Sequence, residues 1–192
     1  MSPGTVAVYY GGGKLRVLDS RMKMIEVVLR CAICAFGVLA AALIGFDSQV
    51  RKFFSVEKKA RFTDMKALVF LVIANGMVAS YSLIQGVRCV VSMVNGAVLL
   101  DKAMAWAIFS CDQALAYLTL AAAAAAIQAA QIGQFGQPEL QWMKMCNLYE
   151  KFCTQVGEGV VSAFLVCLCM VTVSSISAFN LFRLYGKAKG KS

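Results

Sequence analysis

Residues 25–46 read IEVVLRCAICAFGVLAAALIGF, an apolar run with one charge well inside it, Arg30. Such a run is long enough to cross the ~30 Å hydrocarbon layer as a helix, which takes ~20 residues. Three more runs follow at roughly Ala67–Met93, Met104–Ile127 and Val160–Phe182, each of similar or greater length. No alternating ten-residue pattern of the kind a transmembrane barrel needs competes with them. The reading is an all-α integral membrane protein: a four-helix transmembrane bundle with both termini on one side of the bilayer.

Composition points the same way. The 192-residue chain is 60% hydrophobic and only 15% charged, against about 45–50% and about 25% for soluble domains. A globule this small has too much surface to hide that excess. Histidine is absent, which removes the commonest general base and metal ligand. With no paired exposed acids and no phosphate-binding loop, the sequence predicts neither enzyme nor cofactor site. The net charge of +9 falls between and beside the apolar runs, where cations meet headgroups. No nucleic-acid-binding motif accompanies it, so no nucleic-acid partner is expected.

Residues 1–24 are polar or Gly-rich and read as a short flexible N-terminal tail; residues 183–192 form a C-terminal one. With the termini inside, ten cations lie on that side: Lys14, Arg16, Arg21, Lys23, Arg88, Lys102, Arg183, Lys187, Lys189 and Lys191. Eight lie outside: Arg51, Lys52, Lys58, Lys59, Arg61, Lys66, Lys144 and Lys151. The cluster before the first run tips the balance towards cytoplasmic termini.

Two charges stand out inside the spans, Arg30 in the first and Asp112 in the third, and near a helix centre each costs about 2.5–3.5 kcal/mol to insert on translocon scales. The two spans run in the same direction and the residues differ in depth by about 4.5 Å. A guanidinium–carboxylate pair satisfies both charges and predicts that spans one and three are neighbours. Small residues recur at every fourth position: Gly37, Ala41 and Gly45 in the first span, Gly76 and Ser80 in the second, Ser174 and Ala178 in the fourth. Ala121–Ala126 smooths the third. Such stripes let helices approach closely, within one bundle or between subunits. Asn75, Ser80, Ser82 and Gln85 add hydrogen-bonding groups to the second span.

Six of the eight cysteines lie in or at the edges of the spans, as small apolar residues or acylation sites near the surface. Cys31 and Cys34 have C-x-x-C spacing but no His or second pair, and the expectation for them is core packing. Cys146 and Cys153 lie in the second long loop, where an extracellular disulfide is a candidate. On a continuous helix they would stand about 10.5 Å apart, so a bond requires the segment to bend. The first loop, Asp47–Lys66, interleaves basic and aromatic residues and reads as a solvated loop at the headgroups, with an acidic wall polysaccharide as an alternative contact.

Arg30 and Asp112 in their spans, Trp142-x-x-x-Cys146, Phe152-Cys153, Gly157 and Ser162 together resemble the Casparian strip membrane protein-like (CASP-like) family of plants, which has a MARVEL-like four-span fold. The stretches Phe62–Phe70 (FTDMKALVF) and Gln137–Trp142 (QPELQW) are similar to that family's second subgroup. The resemblance covers nearly all of the chain after about residue 20. It implies a plasma-membrane protein with cytoplasmic termini that forms homo- and hetero-oligomers with itself and related CASP-like proteins. Founding members build a membrane platform that recruits cell-wall-modifying enzymes. The basic first loop lacks the aromatic, acidic signature of those members. A small-solute channel or transporter subunit is the alternative, although no internal repeat supports it.

Overall fold

The computed structural model describes residues 13–46, 48–53, 56–94, 102–136, 139, 144, 146–147 and 149–189; side chains at 13–20, 48–61, 102 and 183–189 are not described. Four long helices carry the fold: α1 (Gly13–Gly45), α2 (Lys66–Val94), α3 (Lys102–Phe135) and α4 (Glu150–Lys189). Each contains a stretch long and apolar enough to cross a membrane, at Arg21–Gly45, Lys66–Val94, Ala103–Phe135 and Glu150–Phe182. In hydrocarbon the backbone must satisfy its own hydrogen bonds, and a helix does so within a single segment. Exposed Val28, Leu39, Ile73, Leu83, Leu120 and Leu168 on their outer faces suit lipid rather than water.

One expectation needs correction: the first 24 residues are not all flexible, because α1 starts at Gly13. α4 likewise continues to Lys189 in the C-terminal segment. Polar residues with good helix propensity extend both helices past the apolar stretch. Within the loop after α1, β1 (Ser48–Phe53) and β2 (Val56–Arg61) pair as an antiparallel hairpin, with Arg51 opposite Lys58 and Lys52 opposite Glu57. A single turn of 3-10 helix, Phe62–Asp64, leads into α2.

The helices form a ring in which α1 contacts α2 and α4, and α3 contacts α2 and α4. Spans one and three are therefore diagonal partners, not the neighbours expected. Towards the hairpin end, the core holds Ile44, Leu68, Leu71, Phe152, Val156 and Val160 among small alanines. Nearer the termini it holds Ile33, Val78, Val166, Met170 and Val173. α4 packs tightly on α1 at Gly159, where a Cβ would stand 2.6 Å from Ile44 Cγ1. Gly136, at φ 67°, ends α3 in the left-handed conformation that glycine adopts without a Cβ penalty; its N–H donates to Ile132 O at 2.9 Å.

Candidate functional site

The diagonal of the bundle is bridged by charge. Arg30 is 1% exposed and Asp112 fully buried. The guanidinium Nη2 lies 3.0 Å from both carboxylate oxygens and donates to Oδ2. This end-on geometry, rather than a two-pronged fork, leaves Arg30 Nε and Nη1 without a hydrogen-bond partner. Gly86 on α2 faces the stem of Arg30: a Cβ there would lie 3.7 Å from Arg30 Cβ.

Five further side chains complete the site. Glu26, one turn below Arg30 on α1, places Oε1 3.5 Å from Nη2. Tyr81 of α2 turns its ring to the guanidinium, with Cζ 5.4 Å from the centroid. Ser177 of α4 donates to Asp112 Oδ2 at 2.5 Å. Next to Asp112 on α3, Gln113 accepts a hydrogen bond from Ser174 of α4, also at 2.5 Å. The network thus draws on every helix: Arg30 and Glu26 from α1, Tyr81 from α2, Asp112 and Gln113 from α3, and Ser174 and Ser177 from α4. Sequence reasoning found the two charges and missed the rest. A signal for Glu26 was available in its i,i+4 spacing to Arg30; Tyr81 and Ser177 become partners only through the tertiary fold.

The small-residue positions divide. Gly37 packs against the bundle itself, since a Cβ there would meet Ala79 Cβ at 3.3 Å and Asn75 O at 3.4 Å, tighter than ordinary contact. Gly45 and Gly76 have nothing within 4 Å of that position. With Val38, Ala41, Phe46 and Ser80 they line an open cleft of about 480 Å³ on the outer side of α1 and α2. Ser80 is exposed and donates to Gly76 O of its own helix at 2.9 Å. Ser174 serves the interior, so the fourth-span stripe is not an outer one. Asn75 Nδ2 donates to Leu71 O at 3.0 Å, while Asn75 Oδ1, Ser82 Oγ and Gln85 Oε1 are buried without a hydrogen-bond partner.

Cys146 and Cys153 are bonded, with Cα atoms 5.6 Å apart. The bend that this requires lies between them: Cys146 is in a turn, and α4 begins only at Glu150. Cys146 N donates to Gly133 O at 3.1 Å, which fastens the turn to the end of α3. Trp142, Gln137 and Pro138 lie outside the described residues. Of the C-x-x-C pair, Cys34 is half-buried and donates to Ala79 O at 3.3 Å, whereas Cys31 is on the outer surface, contrary to the core packing expected of both. Among the described residues no group of three or more His, Cys, Asp or Glu side chains is placed to hold a metal ion.

A family profile described as the Casparian strip membrane protein domain matches residues 19–169. The chain is 66% identical to CASP-like protein 2B1 of Vitis vinifera, covering all of this chain and 95% of that one. It is 64% identical to CASP-like protein 2B2 of Populus trichocarpa over all of this chain and 94% of that one. With CASP-like protein 2B2 of Arabidopsis thaliana the identity is 53%, again across all of this chain and 94% of the relative. No solved structure matches the chain. A four-span helical membrane protein matched in this way over most of its length belongs to the Casparian strip membrane protein domain family.

Proposed function

We propose that the protein is a non-catalytic, oligomeric organiser of the plasma membrane, with both termini cytoplasmic. It associates with copies of itself and with related CASP-like proteins, and gathers cell-wall-modifying enzymes at the patches so formed. The observation that carries this reading is the outer cleft of α1 and α2. A glycine inside a helix costs about 1 kcal/mol relative to alanine. Gly37 is explained by the protein's own packing and Gly45 ends α1, but Gly76, in the middle of α2, is explained by neither. In lipid, where no hydrophobic drive brings helices together, unfilled small-residue surfaces are where another helix packs closely.

The test is Gly76→Leu with Gly45→Leu, read by co-precipitation of two differently tagged copies and by photobleaching recovery in plant cells. The substitutions meet open space in the single chain, so the fold survives them. Slow recovery in stable patches is expected for the unaltered protein, with faster recovery and weaker co-precipitation for the variant. Undiminished association of the variant rules out the cleft as the contact. Fast, uniform recovery of an unassociated wild-type protein removes the organiser reading altogether.

That last result would favour the second reading, a small-solute channel or transporter subunit. Its support is the set of unpartnered polar atoms on α2, at Asn75, Ser82 and Gln85. Flux in reconstituted liposomes measures it directly.

A further inference from the structure

The β1–β2 hairpin, Ser48–Arg61, carries five cations (Arg51, Lys52, Lys58, Lys59 and Arg61) against one anion, Glu57. It joins α1 to α2 at the end of the bundle opposite the termini. Neither the four-span fold nor its insertion explains this charge. Cations on the outer side work against the positive-inside bias. They also work against the hairpin, because like charges directly opposite are destabilising and the register sets Arg51 opposite Lys58. A lone two-stranded hairpin is marginal in water even without that repulsion. A partner that neutralises the charge would remove the repulsion and hold the strands together.

The register also indicates the partner's shape. Successive strand residues alternate between faces, and directly opposed residues share one. Arg51 and Lys58 therefore fall on one face, and Lys52, Lys59 and Arg61 fall with Glu57 on the other. A bilayer is a plane of headgroups and meets one face of a hairpin at a time. A flexible linear polyanion can wrap from one face to the other.

We infer that the hairpin is a binding surface for an acidic polysaccharide, a polymer of sugar carboxylates outside the cell. The inference rests on the cytoplasmic termini proposed above, which place the hairpin on the extracellular side. Each contact is an ammonium– or guanidinium–carboxylate pair, weak singly in water and additive along a chain.

The experiment uses the full-length protein in phosphatidylcholine nanodiscs with polygalacturonate as the probe. Its fully methyl-esterified form serves as the uncharged control, and phosphatidylserine vesicles as the planar competitor. Binding to polygalacturonate is expected, weakening steeply with salt, with none to the ester. Arg51→Gln with Lys58→Gln, and separately Lys52→Gln with Lys59→Gln, should each weaken binding several-fold. The four together should weaken it by about ten-fold or more. Lys187→Gln with Lys189→Gln, on the opposite side, should leave it unchanged. Should the fourfold variant fail to fold, the ester control and the salt dependence of the unaltered protein decide the matter.

Salt-independent binding, equal binding of the ester, dependence on one face alone or tighter capture by phosphatidylserine vesicles each overturns the inference. So does labelling of the hairpin only from the cytoplasmic side of intact cells. Subunit association measured on the same variants keeps the two readings apart: lost polymer binding with intact association strikes the hairpin alone.

Discussion

At the scale of single residues, the Arg30–Asp112 pair governs the rest. A buried ion pair is poor evidence for net stability, since desolvating both charges offsets much of their attraction. Removing one partner is different, because it leaves the other charge buried and uncompensated, at a cost of about 3–5 kcal/mol. Here the penalty falls unevenly. Without Arg30, Asp112 still accepts a hydrogen bond from Ser177. Without Asp112, Arg30 keeps only Glu26 at 3.5 Å and the Tyr81 ring, and a guanidinium cannot shed its proton. Asp112→Ala is therefore expected to lower folded yield and thermal stability in detergent by more than Arg30→Met. The double variant should recover part of the loss. Size-exclusion profiles across a heating series check this, and a double variant no better than Asp112→Ala alone would mean that the pair does not act as a unit.

At the scale of elements, the α3–α4 connection depends on the Cys146–Cys153 bond. Closing so short a loop restricts the unfolded chain by about 2–3 kcal/mol in the chain-entropy account. The bond ties the first turn of α4 to the turn that Cys146 N fastens to Gly133 O at the end of α3. Reduction should accordingly free the start of α4 while sparing its buried middle. Amide exchange ought to rise over residues 150–156 and stay low around Val166 and Met170; a uniform rise would show that the bond supports the whole bundle instead. The elements also show what the sequence makes legible. Four apolar runs identify four helices because lipid leaves the backbone no alternative, and two costly charges identify their own pairing. The hairpin escapes such reading, since Ser48–Arg61 has neither a strict apolar alternation nor a continuous apolar run, and its order is in the backbone ladder. The diagonal placement of α1 and α3 is equally hidden: depth along a span follows from counting residues, whereas position around the ring depends on all four faces at once. Glu26, Tyr81 and Ser177 follow from that arrangement.

For the whole molecule, orientation is decided by a narrow margin. With cytoplasmic termini there are ten cations inside and eight outside, and five of the eight belong to the hairpin. The N-terminal cluster must supply the deciding bias, because it precedes the first span to insert and the first helix usually dominates. Replacing Lys14, Arg16, Arg21 and Lys23 by Gln leaves six inside against eight, and the expected result is a mixed population with a fraction inverted. Replacing the hairpin's Arg51, Lys52, Lys58, Lys59 and Arg61 by Gln gives ten against three and should make orientation uniform. Combining both sets restores an inside excess, six against three, and should rescue the inverted fraction. Protease protection of a C-terminal tag in sealed vesicles reads all three. Rescue by the combined set would show that the hairpin's charge acts against insertion, so its presence answers to a need on the far side of the membrane. If the N-terminal set alone changes nothing, orientation is fixed elsewhere, and the buried Arg30, which must reach Asp112 across the bundle, becomes the remaining cation of the first helix able to set it.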